Sequence, residues 1–193
     1  FEEAFMRTGT PYQIVGGIRF YERKEVKDLI SYLRLIYNPN DSVSFDRIIN
    51  VPARGIGAKS LLAIQNFAIQ QGSLSHALSL IDECPDLSSK ALSATQNFYS
   101  KIEKLRADLL KFSVAEIIQT VISLFNLDEF YNDNTPQGIE RLENLRELAS
   151  VATSQGATDL GAFLEDIALV SDLDSLSSTG DSVTLMTIHG SKG

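Results

Sequence analysis

Lys24-Glu25-Val26-Lys27-Asp28-Leu29-Ile30-Ser31-Tyr32-Leu33-Arg34-Leu35-Ile36-Tyr37 is the stretch that decides the fold. Val26, Leu29, Ile30, Leu33, Ile36 and Tyr37 recur at three and four residues, the period that lines one face of an α-helix. The spacing predicts a helix from about Lys24 to Tyr37, stopped by Asn38-Pro39-Asn40-Asp41. Asp41 or Ser42 then caps another helix through about Asn50, with Phe45, Ile48 and Ile49 inward. The helical period continues beyond Pro52. Leu61, Leu62, Ile64, Phe67 and Ala68 mark one helix ending near Gly72, and Leu74, Ala77, Leu78 and Ile81 mark a short one. A longer helix runs from about Ser88 to Leu110 on Phe98, Ile102, Leu105 and Leu109. Ser113 caps the next, which carries Val114, Ile117, Ile118, Val121 and Phe125. After a turn at Asn132-Asp133-Asn134-Thr135-Pro136, two more helices follow. One carries Leu142, Leu145, Leu148, Ala149 and Ala152; the other carries Leu160, Phe163, Leu164, Ile167 and Val170.

Strand character is confined to the ends. Tyr12-Gln13-Ile14-Val15 is a short strand bounded by Pro11 and Gly16-Gly17. Ser182-Val183-Thr184-Leu185-Met186-Thr187-Ile188-His189 is a β-branched, apolar run, and the two strands could pair in a shared sheet. Asp172 to Asp181, rich in Ser and Asp, reads as a flexible connector. The chain therefore reads as mainly α with strand pieces at its termini. Phe1-Glu2-Glu3-Ala4-Phe5-Met6 reads as the end of a helix already under way. The last strand runs into Gly190-Ser191-Lys192-Gly193, and both ends are those expected of a piece of a longer protein.

Composition narrows the function classes. The 193 residues are 44% hydrophobic and 22% charged, as in an ordinary soluble protein with a sizeable core. No apolar run approaches the ~20 residues that span a bilayer, so the expectation is a cytoplasmic protein with no membrane partner. One Cys and two His exclude a disulfide framework and a Cys/His zinc site. Cys84, set among Asp82, Glu83 and Asp86, has neighbours that disfavour a thiolate and reads as structural. The net charge of −8 is unevenly placed. Residues 1–71 carry nine Lys/Arg and seven Asp/Glu, net +2; residues 72–193 carry eight and eighteen, net −10. Any contact with phosphate belongs in the first third.

Three segments depart from plain amphipathic helix. In Gly16-Gly17-Ile18-Arg19-Phe20-Tyr21-Glu22-Arg23-Lys24, basic groups interleave with aromatics. That suits a nucleic-acid strand, through phosphate pairing and base stacking; it equally suits a strand-to-helix turn with a solvated helix start. In Asn50-Val51-Pro52-Ala53-Arg54-Gly55-Ile56-Gly57-Ala58-Lys59-Ser60, two glycines open a turn before a helix. The free N–H groups and positive dipole of that helix start, with Arg54 and Lys59 beside it, suit a duplex phosphate backbone. The bland alternative is an inter-helix turn. In Leu185-Met186-Thr187-Ile188-His189-Gly190-Ser191-Lys192-Gly193, polar groups follow a strand end, where α/β folds bind ligands. Gly-x-x-x-x-Gly-Lys-Ser/Thr, the phosphate loop, is absent from the chain.

In order and spacing these three segments resemble the UvrD/Rep/PcrA family of superfamily 1 DNA helicases. Gly16 to Asp28 resembles its Gly-Gly-x-x-Phe-Phe/Tyr-x-Arg-x-Glu-Ile/Val-Lys-Asp. Asn50 to Gly57 resembles its Asn-x-Pro-x-Arg-Gly-Ile-Gly, and Leu185 to Gly193 its motif V. The stretches 141–148 and 163–172 are also similar to family helices. The resemblance implies a helical 2B-type accessory domain at residues 24–181. Residues 1–23 and 182–193 would be remnants of the RecA-like 2A motor domain. It implies a parent that tracks 3′ to 5′ on single-stranded DNA with ATP and Mg²⁺, in repair or replication. This piece would contribute duplex contact and regulation, with catalysis lying in motifs it lacks. By the same resemblance, Arg54, Gly55, Ile56, Gly57 and Lys59 hold duplex. Thr187 and His189 lie near the single strand. Gly16, Gly17, Arg19, Phe20, Arg23 and Lys24 are candidates for DNA or interdomain contact. The implied partners are a DNA junction, the other helicase subdomains and regulatory proteins. Two alternatives stay open: an independent helical DNA-binding or protein-interaction module, and an insert from a RecB/AddA-type helicase-nuclease.

Overall fold

The computed structural model describes residues 4, 5, 8, 10, 12–15, 20–176 and 183–186. Gly16, Gly17, Arg19, Thr187 and His189 lie outside the described residues. Strand β1 (Tyr12–Val15) is followed by nine α-helices among the described residues. They are α1 (Lys24–Tyr37), α2 (Ser42–Ile48), α3 (Ala58–Gln71), α4 (Leu74–Ser79), α5 (Ser89–Ala107), α6 (Val114–Leu124), α7 (Leu127–Tyr131), α8 (Pro136–Ser154) and α9 (Leu160–Leu176). Strand β2 (Val183–Met186) closes the order. The two strands pair in parallel, with Tyr12 opposite Val183 and Val15 opposite Met186, so the sequence's two ends meet in one ladder.

Helix α1 is the hub. Val26, Leu29, Tyr32, Leu33 and Ile36 on it are fully buried, and it packs against α2, α5, α6, α8 and α9. Every helix brings at least one apolar position to a continuous core that runs from Phe20 to Ile167, and that burial drives the fold. Tyr32, Phe98 and Phe125 cluster at its centre, with Tyr32 and Phe125 ring centroids 4.5 Å apart. Cys84 is buried, its thiol turned toward the Ala63 carbonyl at 3.7 Å. Burial and then the Asp86 carboxylate push that thiol's pKa up, so it is a packing residue.

Local signals set the helix ends. The Asp41 carboxylate accepts from the Ser44 N–H at 2.9 Å and starts α2. Gly72, at φ +79, ends α3. Ser113 and Glu116 form a reciprocal capping box on α6. Thr135 caps α8, with Pro136 at its first turn.

Two expectations need correction. The helix after Ser113, expected to carry Phe125, ends at Leu124 with Phe125 as its C-cap: Asn126, in the left-handed region at φ 54, breaks the backbone, and α7 restarts at once. Asp172 to Leu176, expected to belong to a flexible connector, continue α9 instead. Residues 177–182 lie outside the described residues.

Candidate nucleic-acid interface

The Gly-rich turn joins α2 to α3 and is built from inside. Asn50 accepts from the Arg54 and Ile56 N–H groups through one side-chain oxygen, at 2.7 and 3.4 Å. Ile56 is buried and pins the turn to the core. Its side chain faces the core, away from the surface of the turn.

The two glycines differ in kind. Gly55 stands at φ +77, in the left-handed region, and a Cβ built on it would lie 2.9 Å from Cε of Lys90. Gly57 stands at φ −83 and ψ 175 as the residue preceding α3, with open space around its missing side chain. The backbone strain of an added side chain therefore falls on Gly55 and not on Gly57. Gly55→Val is expected to lower stability by about 1–2 kcal/mol and to push Lys90 aside. Gly57→Ala should stay within about 0.5 kcal/mol of wild type. Urea melts of both decide it, and equal losses would contradict the assignment.

Beyond Gly57 the helix start is open. No side chain caps α3. The Leu61 N–H is the first to bond back, to the Gly57 carbonyl at 3.0 Å. The N–H groups of Ala58, Lys59 and Ser60 therefore have no partner within the helix, at the positive end of its dipole. Lys59 is exposed at that end, and it takes part in no ion pair among the described residues. Lys90, at the start of α5, lies against Gly55 from the other side. Sequence reasoning missed it, because 35 residues separate the two and Ser88-Ser89-Lys90 carries only a helix-start signal.

Arg54 is occupied inward. Its Nη1 donates to the carbonyls of Ile48 and Ile49 at 2.9 Å and of Val51 at 3.1 Å. Its Nη2 donates to the Tyr32 hydroxyl at 2.6 Å, and that hydroxyl donates to the Val51 carbonyl at 2.5 Å. The guanidinium lies 5.0 Å from the Phe98 ring centroid and 5.6 Å from that of Phe125. Burial pushes the Tyr32 phenol up to about 12 against the opposing pull of Arg54, so it keeps its proton and stays a donor. Arg54 thus closes the C-terminal end of α2 and fixes the turn.

The aromatic-basic segment before α1 is also turned inward. Phe20 and Tyr21 are buried, edge to face at 5.1 Å. Phe20 is therefore not a stacking platform for a base. Arg23 donates to the Asn144 side-chain oxygen at 2.5 Å and lies 3.5 Å from Glu140. Asn144 donates in turn to the buried Glu25 at 2.6 Å. This chain of polar bonds ties α1 to α8. Lys27 pairs with Glu22 at 3.2 Å, and Lys24 remains exposed at the start of α1. Of the sequence-predicted duplex residues, the structure brings Arg54, Gly55, Ile56, Gly57 and Lys59 together in one turn. Gly55, Gly57 and Lys59 are exposed, whereas Arg54 is partly buried and Ile56 is buried.

Among the described residues no group of three His, Cys, Asp or Glu could hold a metal ion, and no helix is long and apolar enough to cross a membrane. The phosphate loop Gly-x-x-x-x-Gly-Lys-Ser/Thr is absent from the sequence.

The whole chain, residues 1–193, matches the family described as UvrD-like helicase C-terminal domain. It is 42% identical over 200 residues to the ATP-dependent DNA helicase PcrA of Staphylococcus aureus (strain Mu50 / ATCC 700699). It is 39% identical over 204 residues to the PcrA of Bacillus subtilis (strain 168). Both alignments cover 100% of this chain and 27% and 28% of those proteins, so the chain spans about a quarter of their length.

Proposed function

The chain belongs to the UvrD-like helicase C-terminal domain family, and we propose that it is the 2B-type helical insert of an ATP-dependent 3′–5′ DNA helicase. In this reading residues 24–181 form the insert. The β1–β2 ladder belongs to the RecA-like 2A domain from which the insert leaves and to which it returns. ATP and Mg²⁺ bind in other parts of the parent, and Thr187 and His189 face its single strand. The insert's own task is to hold the duplex ahead of the junction by its phosphate backbone.

The observation that carries this reading is the turn at Gly55–Lys59. An uncapped helix start, an open approach at Gly57 and an exposed lysine converge there. Unbonded N–H groups and a cation recognise a phosphate without reading a base. Binding is weak because few phosphates are neutralised and residues 72–193 carry a net −10.

Lys59→Ala tests it. Titration with a blunt-ended hairpin duplex at low salt should show weaker binding, equally for any sequence. The slope of log affinity against log salt should flatten by about 0.9. A variant with the wild-type slope, or a loss confined to one DNA sequence, counts against the turn as a backbone contact.

A further inference from the structure

A groove of about 230 Å³ lies between the last turn of α1 and the first turns of α9. Its walls are apolar, formed by Tyr37, Leu164 and Ala168. Tyr37 lies across α9 at Gly161, where a Cβ would stand 2.6 Å from the phenolic oxygen. A side chain at 161 would push the ring off the helix, so glycine is what admits it. Tyr37 still keeps 55% of its surface exposed, and Leu169, one turn of α9 beyond Glu165, keeps 61%. The rim of the groove carries two carboxylates, Asp41 and Glu165, and one cation, Arg34. Glu165 and the neighbouring Asp166 are exposed, and neither takes part in an ion pair among the described residues. The surrounding sequence does not offset them: from Leu148 to Ser191 the chain holds six Asp or Glu and no Lys or Arg.

We propose that this groove docks a short basic segment of another protein, with one lysine or arginine side chain seated in it. The groove is smaller than the ~300–1,000 Å³ of small-molecule sites, and it fits one long side chain. The stem of a lysine or arginine covers apolar surface while its charged head stays at a polar edge. Here the stem lies on Leu164, Ala168 and the Tyr37 ring, and the head meets Glu165 and Asp41. The face of the Tyr37 ring attracts the cation as well. An apolar neighbour in the same segment covers Leu169. Charge sets the sign of the partner: residues 148–191 draw a cationic segment and repel nucleic acid and acidic peptides. Arg34 repels a second cation on the α1 side, so further basic residues of the segment lie toward Asp166. The site differs in chemistry from the turn at Gly55–Lys59 and does not depend on the duplex reading.

The test uses the full chain and a short fluorescein-labelled amphipathic peptide of leucine and arginine, titrated at low salt and read by anisotropy. A peptide with glutamate in place of each arginine is the control. Glu165→Lys should weaken binding by about fivefold and Arg34→Glu should tighten it by about fivefold, since each reverses one exposed charge on the rim. Both side chains are exposed, so the urea midpoints of the two variants should match wild type. On addition of the peptide, backbone amide shifts in the NMR spectrum should cluster at Tyr37, Gly161 and Glu165. Binding that responds to neither substitution, or shifts confined to other helices, overturns the groove as the site. No binding at low salt, or equal binding of the glutamate peptide, overturns the basic partner. Sedimentation of the chain alone covers the remaining occupant: a wild-type dimer that Glu165→Lys dissociates would assign the groove to a second copy and overturn the proposal.

Discussion

Arg54→Ala is expected to cost about 3–5 kcal/mol of folding stability, although the residue looks from its neighbours like a ligand-binding cation. Four acceptors depend on it: the carbonyls of Ile48, Ile49 and Val51 and the hydroxyl of Tyr32. Charge-assisted bonds of this kind contribute about 1.5–3 kcal/mol each. Ile48 and Val51 keep other partners, which holds the total below the sum. The ring contacts with Phe98 and Phe125 add about 1 kcal/mol at a partly desolvated site. The cation also sits at the end of α2, where the helix dipole favours it. Arg54→Lys should recover less than half of the loss, because an ammonium cannot span carbonyls and hydroxyl as the flat fork does. Urea unfolding decides it, read from the midpoint at unchanged slope. Two variants within about 0.5 kcal/mol of wild type would sink the assignment. The role is positional: the turn keeps its shape because Arg54 holds it. Duplex affinity should fall with Arg54→Ala through lost geometry, whereas Lys59→Ala removes a contact and leaves stability untouched.

That division of labour was not legible in the sequence. Arg54 and Lys59 stand five residues apart around two glycines, and a chain read in one dimension treats them alike. Tyr32 and Phe98, which commit Arg54 to the interior, are 22 and 44 residues away from it. The glycines posed the same difficulty: which one carries the positive φ depends on where α3 begins, and that is settled by the Ile56 anchor and the Asn50 side chain. The helices' apolar stripes, in contrast, were legible, with ends that differ from the expected ones by a few residues. Each buries one apolar stripe, and Asp41, Ser113 and Thr135 start helices by short-range bonds that periodicity and capping rules describe. The misses are informative too. A single left-handed residue, Asn126, splits a helical run without altering its apolar period. The Asp- and Ser-rich end of α9 has the composition of a linker and is helix all the same.

The aromatic-basic segment shows how a core can imitate a binding stripe. Phe20, Tyr21, Arg23, Glu25 and Asp28 are drawn inward by packing and by polar bonds that reach α2, α7 and α8. Carboxylates, not cations, are the buried members, and their partners come from distant elements. A charge count cannot distinguish such a network from a solvated helix start, because each carboxylate's partner lies between 19 and 119 residues away.

Asp28→Ala is the sharpest probe of that network, with an expected loss of about 3–4 kcal/mol. The Asp28 carboxylate is buried on α1 and takes one partner from each of two other helices. Arg47 on α2 reaches Oδ1 through Nε at 2.6 Å, and the Tyr131 hydroxyl on α7 donates to Oδ2. Burial, reinforced by the hydrogen bond to Asp28, raises the Tyr131 phenol far above its usual range, so the proton stays on the tyrosine. Removing the carboxylate strands that donor in the core, at about 1–3 kcal/mol. It also strands a guanidinium, which is a third exposed and turns partly to water, so the loss sits at the lower end of the range for a broken buried pair. Tyr131→Phe alone should cost about 1–2 kcal/mol, because Asp28 keeps Arg47. The double variant Asp28→Ala/Tyr131→Phe should then be more stable than the two single losses predict, by at least about 1 kcal/mol. With the hydroxyl gone, nothing polar on α7 is left unsatisfied by the missing carboxylate. A double-mutant cycle by urea unfolding measures this coupling directly. Losses that add to within about 0.3 kcal/mol would mean that Asp28 and Tyr131 act independently, and the network would reduce to the Arg47 pair.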